Sequence, residues 1–166
     1  MKNVLLVIIA ILLVSPAMAK RAKKKKNVVD QIASVEVHHG TCFGRCPDYA
    51  LKVDRNGLLT YTGFRFVDDT GVYQKNINKA VANKLLDQYS NYRIDTCQEL
   101  YENQIPDLPQ LYYTITYNKK AVKKIYCANW GPKYLTTMAD KMDKLGKKTD
   151  SIGWKRVGDV PRGQGN

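Results

Sequence analysis

Alternating apolar and polar residues predict about five or six β-strands in this chain, because a strand with one buried face has a period of two residues. The clearest alternation runs from Leu111 to Tyr117, where Leu111, Tyr113 and Ile115 share one side. The other predicted strands cover residues 32–39, 49–53, 58–66, 72–77 and 121–127. Together these stretches predict a sheet that buries one of its faces.

The turn Asp54-Arg55-Asn56-Gly57 predicts the register of the first hairpin. A two-residue Asn-Gly loop would set buried residues opposite exposed ones. A three-residue loop with a left-handed Gly57 instead pairs Val53 with Leu59 and keeps the apolar side chains on one face. The sequence therefore favours a type I turn with a glycine bulge. The register of the second hairpin stays open, because two adjacent lysines disturb both faces of its second strand.

Two stretches with apolar residues at helical spacing predict two helices. The first helix is capped by Asn78 and carries an apolar stripe of Val81, Leu85, Tyr89 and Tyr92. The second opens at Gly131-Pro132, ends at Gly146 and carries a stripe of Leu135, Met138, Met142 and Leu145. The predicted fold class is α+β: an antiparallel sheet of about five or six strands, in the order ββββ-α-ββ-α, with two helices packed on one face.

The N-terminal residues have the pattern of an export signal. An unbroken apolar run from Val4 to Val14 is short for a membrane span, and Ala17-Met18-Ala19 has the small residues of a cleavage site. Cleavage near Ala19 would leave the mature protein in the periplasm or outside the cell; the alternative is an uncleaved N-terminal membrane anchor. We expect a signal peptide at 1–19, a basic flexible linker at 20–31, one α+β domain at 32–157 and a disordered tail at 158–166.

The positive charge of the chain is concentrated in its linker. The formal net charge is +12. Six basic side chains form what we call the basic arm: Lys20, Arg21, Lys23, Lys24, Lys25 and Lys26. Such an arm is either a solvated, disordered segment or an attachment to an anionic envelope surface such as lipid head groups or wall polymer. Nucleic acid is a poor candidate, because no recognition motif accompanies the charge.

The four cysteines carry the candidate chemistry. Cys42 and Cys46 lie in a segment with two glycines and a proline, which predicts a compact loop held by a disulfide or a metal. Export to an oxidising compartment favours a disulfide, and we expect a second one between Cys97 and Cys127. The alternative for the second pair is two separate buried thiols.

A metal site is the alternative at the first loop. Its ligands would be His38, His39, Cys42 and Cys46, a donor set that suits zinc or copper. Adjacent histidines on a strand point to opposite faces, so both could bind one ion only if the strand had already ended. The same loop would carry a cysteine nucleophile with a histidine base if the protein were an enzyme.

The segment Cys42-Phe43-Gly44-Arg45-Cys46-Pro47-Asp48-Tyr49 resembles a known signature, C-F-G-x-C-P-x-Y. It is similar to that of a family of small exported bacterial domains of unknown function. The resemblance covers roughly residues 35–154 and includes a weaker downstream element, Asp107-Leu108-Pro109. It implies a fold and a location and supplies no catalytic residue. The positions it singles out are Phe43, Gly44, Pro47, Tyr49, Asp107 and Pro109.

These observations favour a non-catalytic exported module that binds a partner or has a structural role in the cell envelope. No phosphate-binding glycine loop, G-x-S-x-G or H-E-x-x-H motif is present, and we expect no cofactor. Asp107 is interpreted as a side chain that fixes its loop. A concave pocket that gathered His38, His39, Asp107 and tyrosine hydroxyls would instead favour an enzyme or a ligand site.

Overall fold

The structure is a computed structural model that describes residues 30–102, 108–128, 130–146 and 153–160. The predicted signal peptide, the basic arm, Asp107 and residues 161–166 lie outside the described residues. The strands are β1 Ile32–His39, β2 Asp48–Asp54, β3 Leu58–Arg65, β4 Gly71–Asn76, β5 Leu100–Tyr101, β6 Leu111–Tyr117, β7 Val122–Cys127 and β8 Lys155–Gly158. The helices are α1 Lys79–Asn91 and α2 Lys133–Gly146, with a short 3-10 turn at Ile94–Thr96.

The described strands form one eight-stranded sheet in the order β5-β7-β6-β1-β2-β3-β4-β8. The α+β class and the two helices are confirmed, but the expectation of five or six antiparallel strands is corrected. β5 pairs parallel with β7, so the sheet is mixed. β8 pairs with β4 at the other edge. These two edge strands have two and four residues, which is too short for an alternation to be visible in the sequence.

The first hairpin has the predicted register, with Val53 opposite Leu59. Gly57 has a φ of 89°, and a Cβ there would lie 2.5 Å from the carbonyl oxygen of Ile77. Only glycine combines this backbone conformation with so close an approach. The second register, which the sequence left open, sets Tyr113 opposite Ile125.

Both helices pack on the same face of the sheet. The buried residues of the central strands include Val35, Val53, Leu59 and Ile115, which are fully covered. Their partners on the helices are Ala82, Leu85, Leu86 and Tyr89 of α1 and Leu135, Met138, Ala139 and Met142 of α2. Val81 and Tyr92 of the predicted α1 stripe are exposed instead. Asn78 caps α1 as predicted, accepting a hydrogen bond from the Ala80 amide at 2.8 Å.

The C-terminal end of α2 lies directly on β2. A Cβ at Gly146 would lie 2.2 Å from Cδ2 of Leu51, so any larger residue at the end of the helix would have to displace the Leu51 side chain. The opposite face of the sheet carries polar residues such as Lys52 and Thr114, and no helix covers it in the described part of the chain. Within those residues, no helix is both long and apolar enough to cross a bilayer.

Candidate functional site

The cysteine loop joins the end of β1 to the start of β2. Cys42 and Cys46 form a disulfide with their Cα atoms 5.6 Å apart, which confirms the first predicted bridge. The side chain of Phe43 is 88% exposed at the tip of the loop. Gly44 has a φ of 133°, which suits glycine. The bridge therefore holds a short excursion of the chain at one end of the sheet.

The two histidines do not form a joint site. They are adjacent on β1, where successive side chains point to opposite faces, and each has partners on its own side of the sheet. The sulfur atoms of Cys42 and Cys46 are bonded to one another. The metal site predicted as an alternative from His38, His39 and the two cysteines is therefore corrected. The described residues contain no group of three or more histidine, cysteine, aspartate or glutamate side chains suited to hold a metal ion.

His38 anchors the start of β2 on the open face of the sheet. Its Nε2 atom lies 2.8 Å from Oδ1 of Asp48, and the other oxygen of Asp48 accepts a hydrogen bond from Nε of Arg65 at 3.4 Å. Asp48 is buried, so its carboxylate needs these partners. The imidazole also contacts the rings of Phe64 and Tyr112, at centroid distances of 5.0 and 5.5 Å. These contacts of His38 and Asp48 therefore hold the two ends of the cysteine loop together.

His39 lies on the helix side and contacts Asp143 of α2. Its ring is stacked on Tyr49 with centroids 4.5 Å apart. The Tyr49 hydroxyl donates a hydrogen bond to Oδ1 of Asp143 at 3.0 Å. Nε2 of His39 lies 3.0 Å from the same oxygen, within ion-pair range, but without a hydrogen bond. Asp143 therefore ties α2 to the ends of β1 and β2.

A cavity of about 780 Å³ opens beside this cluster, between the sheet, the C-terminal half of α2 and the turn between β3 and β4. Its walls combine three aromatic rings with several carboxylates. The residues that line it are Pro47, Tyr49, Leu51, Tyr61, Phe66, Val67, Asp68, Asp69, Asp140, Asp143, Lys144 and Gly146. Two signature residues, Pro47 and Tyr49, thus line the cavity.

The tyrosine hydroxyls of the cavity are held in their protonated form. Burial, reinforced by the neighbouring carboxylate of Asp143, raises the pKa of Tyr49 well above its usual value. Burial also raises the pKa of Tyr61 to about 12, with Asp69 and Asp68 adding to the effect. Both hydroxyls therefore remain neutral and able to donate a hydrogen bond at physiological pH.

Phe66 forms one side of the cavity in an unusual backbone conformation. Its φ is 54°, in the left-handed region that bulky residues rarely adopt, and its side chain is 51% exposed. Such a conformation persists only where the surrounding structure holds it. The turn that follows β3 thereby places a large apolar ring beside the cavity.

The second predicted disulfide is wrong for this structure. Cys97 and Cys127 are free, buried thiols. Each has a partner other than the second cysteine: Sγ of Cys97 lies 2.5 Å from the Tyr134 hydroxyl, and Sγ of Cys127 donates to the carbonyl oxygen of Trp130. Burial raises the pKa of the Cys127 thiol, so it is a poor nucleophile. Both thiols belong to the core.

The sequence therefore identified part of this site and missed the rest. Pro47, Tyr49 and, through Asp143, His39 lie at the cavity, whereas Phe43, Gly44 and the exposed Pro109 do not line it. Neither the two aspartates of α2 nor Asp68 and Asp69, which follow β3, were identified as site residues from the sequence. The spacing of Asp140 and Asp143 places them on one side of the helix. This spacing of charged residues is also typical of a helix face that only contacts solvent, so it does not by itself indicate a site.

The fold and the site define a small α+β domain in which two helices cover one face of a sheet and leave a cavity at one end. The chain belongs to the DUF6438 family, a domain of unknown function, whose family model matches residues 33–146. The match runs from β1 to the last residue of α2 and so includes the elements that line the cavity. No curated protein matches the chain.

Proposed function

We propose that this protein is an exported, non-catalytic binding module of the cell envelope that takes its ligand in the cavity between α2 and the sheet. The observation that carries the proposal is the cavity itself. Its volume, about 780 Å³, lies within the range of small-molecule sites. Its lining combines apolar and aromatic surface with a few polar groups, which is the usual composition of such sites.

The chemistry of the described lining favours binding over catalysis. It contains no serine, threonine or cysteine that could act as a nucleophile. The Asp143 carboxylate is shared between Tyr49 and His39. The Tyr49 hydroxyl stays protonated because its pKa is raised, and its one proton is donated to Asp143, so its oxygen can accept a hydrogen bond from a ligand. The alternative enzyme would need a free thiolate at Cys42 or Cys46, and these atoms are joined.

Export is supported by the sequence and by the disulfide. The apolar run from Val4 to Val14 and the small residues at Ala17-Met18-Ala19 have the order of a cleavable signal. A disulfide between Cys42 and Cys46 is typical of an oxidising compartment. In this proposal the basic arm holds the mature protein near an anionic envelope surface while the domain binds its ligand.

The binding proposal is tested by filling the cavity. Asp140 is an exposed residue of α2 that lines it, so Asp140→Phe places an aromatic ring in the space with little effect on the core. Asp87→Phe is the matched control, because it makes the same substitution at an exposed position of α1 outside the described cavity lining. It also breaks the ion pair between Asp87 and Arg55, which lies away from the cavity lining. A fragment library is screened by saturation-transfer NMR against the wild type and both variants. We expect fragments that bind the wild type and Asp87→Phe but no longer bind Asp140→Phe. Identical binding to all three proteins would refute the cavity as the site.

A further inference from the structure

The charge of the cavity is opposite in sign to that of the protein. The described lining carries four carboxylates, those of Asp68, Asp69, Asp140 and Asp143, against the single ammonium of Lys144. The whole chain has a formal net charge of +12. A cavity with an excess of negative charge attracts cations and disfavours anions, because field lines concentrate in a concave, partly desolvated space.

The aromatic walls suit the same kind of ligand. Tyr49 and Tyr61 are stacked with their centroids 5.8 Å apart, and Phe66 is exposed on the same lining. Aromatic faces attract ammonium and guanidinium groups through the ring quadrupole. The fold already uses this contact next to the cavity: Nζ of Lys75 lies 4.6 Å from the centre of the Trp154 ring, and that ring packs edge-on against Tyr61.

The excess of carboxylates and the aromatic walls both favour a positively charged ligand. We infer that the cavity binds an organic cation, with a primary ammonium or guanidinium group held between the carboxylates and the aromatic rings and an aliphatic body packed on the apolar lining. The volume is much larger than one ammonium group needs, and Leu51, Val67 and Pro47 supply apolar surface for the rest of the molecule. This inference rests on the proposed function, because it requires that the cavity is a binding site.

Three probes with five-carbon chains separate charge from size: cadaverine (a dication), 1,5-pentanediol (neutral) and glutarate (a dianion). Each is titrated into the ¹⁵N-labelled full chain, and the amide shifts of Asp69, Lys144 and Gly146 report on the cavity. We expect saturable shifts with cadaverine alone and weaker binding as salt rises, since exposed charges are screened over about 10 Å at 0.1 M ionic strength. The double variant Asp68→Asn/Asp140→Asn should weaken cadaverine binding by roughly two- to fivefold for each charge removed.

Asp87→Asn is the matched control, because it removes one surface carboxylate of α1 outside the described cavity lining. It should leave cadaverine binding unchanged. Equal or stronger shifts with pentanediol or glutarate would overturn the cationic ligand and leave the cavity standing as a binding site. Cadaverine binding that Asp87→Asn weakens as much as the cavity variant does would show attraction to the surface at large and also overturn the inference. Shifts with none of the three probes would overturn the cationic ligand, whereas the binding cavity itself is tested separately by the fragment screen with Asp140→Phe.

Discussion

Replacing Gly146 with alanine should destabilise the domain, although alanine is the better helix former. The new Cβ would lie 2.2 Å from Cδ2 and 2.6 Å from Cδ1 of Leu51, distances at which atoms overlap. Leu51 is 1% exposed and packed in the core, so its side chain would have to be displaced towards the cavity that it lines. Overpacking of this kind costs about 1–3 kcal/mol, which exceeds the helix propensity gain of at most about 1 kcal/mol.

The size of the effect is measured by urea denaturation, from the free energy of unfolding of each variant. Gly158→Ala is the matched control, because a Cβ at Gly158 meets no atom within 4 Å. Leu51→Ala should itself cost about 2–5 kcal/mol through the cavity that it leaves. In the double variant, the alanine at 146 has space. The loss of unfolding free energy in the double variant should therefore be smaller than the sum of the losses in the two single variants. A Gly146→Ala protein as stable as the wild type would refute the close approach of α2 to β2.

Four further predictions concern ionisation, thiols and the N-terminus. Because Tyr61 has its pKa raised to about 12, the stability it contributes is complete below its ordinary pKa of about 10 and is lost as the pH rises towards 12. The urea midpoint should therefore fall less between pH 9 and pH 11.5 in Tyr61→Phe than in the wild type. An equal fall in the two proteins counts against the raised pKa of Tyr61. Thiol labelling of the unfolded, unreduced protein should modify Cys97 and Cys127 and no other cysteine. Mass spectrometry of the envelope fraction should find a chain beginning at Lys20, whereas a full-length chain would indicate an anchor. Deleting residues 20–26 should weaken binding to anionic vesicles, and equal binding without them would exclude the tether.

Local rules predicted the parts of this fold that depend on neighbours in sequence. The register at Gly57 followed from turn chemistry and the pleat, and Asn78 capped its helix because its side chain reaches the amide of Ala80. The opposite directions of His38 and His39 follow from the same pleat. β5 could not be found in this way, since Leu100–Tyr101 is a strand only because the edge of β7 lies beside it.

The candidate site was less predictable, because it exists only when distant segments meet. Asp143 lies 94 residues from Tyr49 in sequence, and their hydrogen bond brings a helix to the end of a strand. The pairing of Cys97 with Cys127 failed for a related reason: sequence spacing gives the size of a ring but not the directions of two side chains. Buried cysteines are compatible with a disulfide or with two free thiols, and only the contacts with Tyr134 and Trp130 distinguish these alternatives.

The short strand β8 has a consequence for how the domain can be handled. It supplies hydrogen bonds to the outer edge of β4, and the preceding Trp154 covers Tyr61. The family match ends at residue 146, so a recombinant fragment cut to that boundary would lose both. The bared edge of β4 would then offer unpaired amides and carbonyls as a template for another chain. Expression of the fragment should yield aggregates or strand-paired dimers, and a boundary drawn after residue 160 should keep the protein in solution.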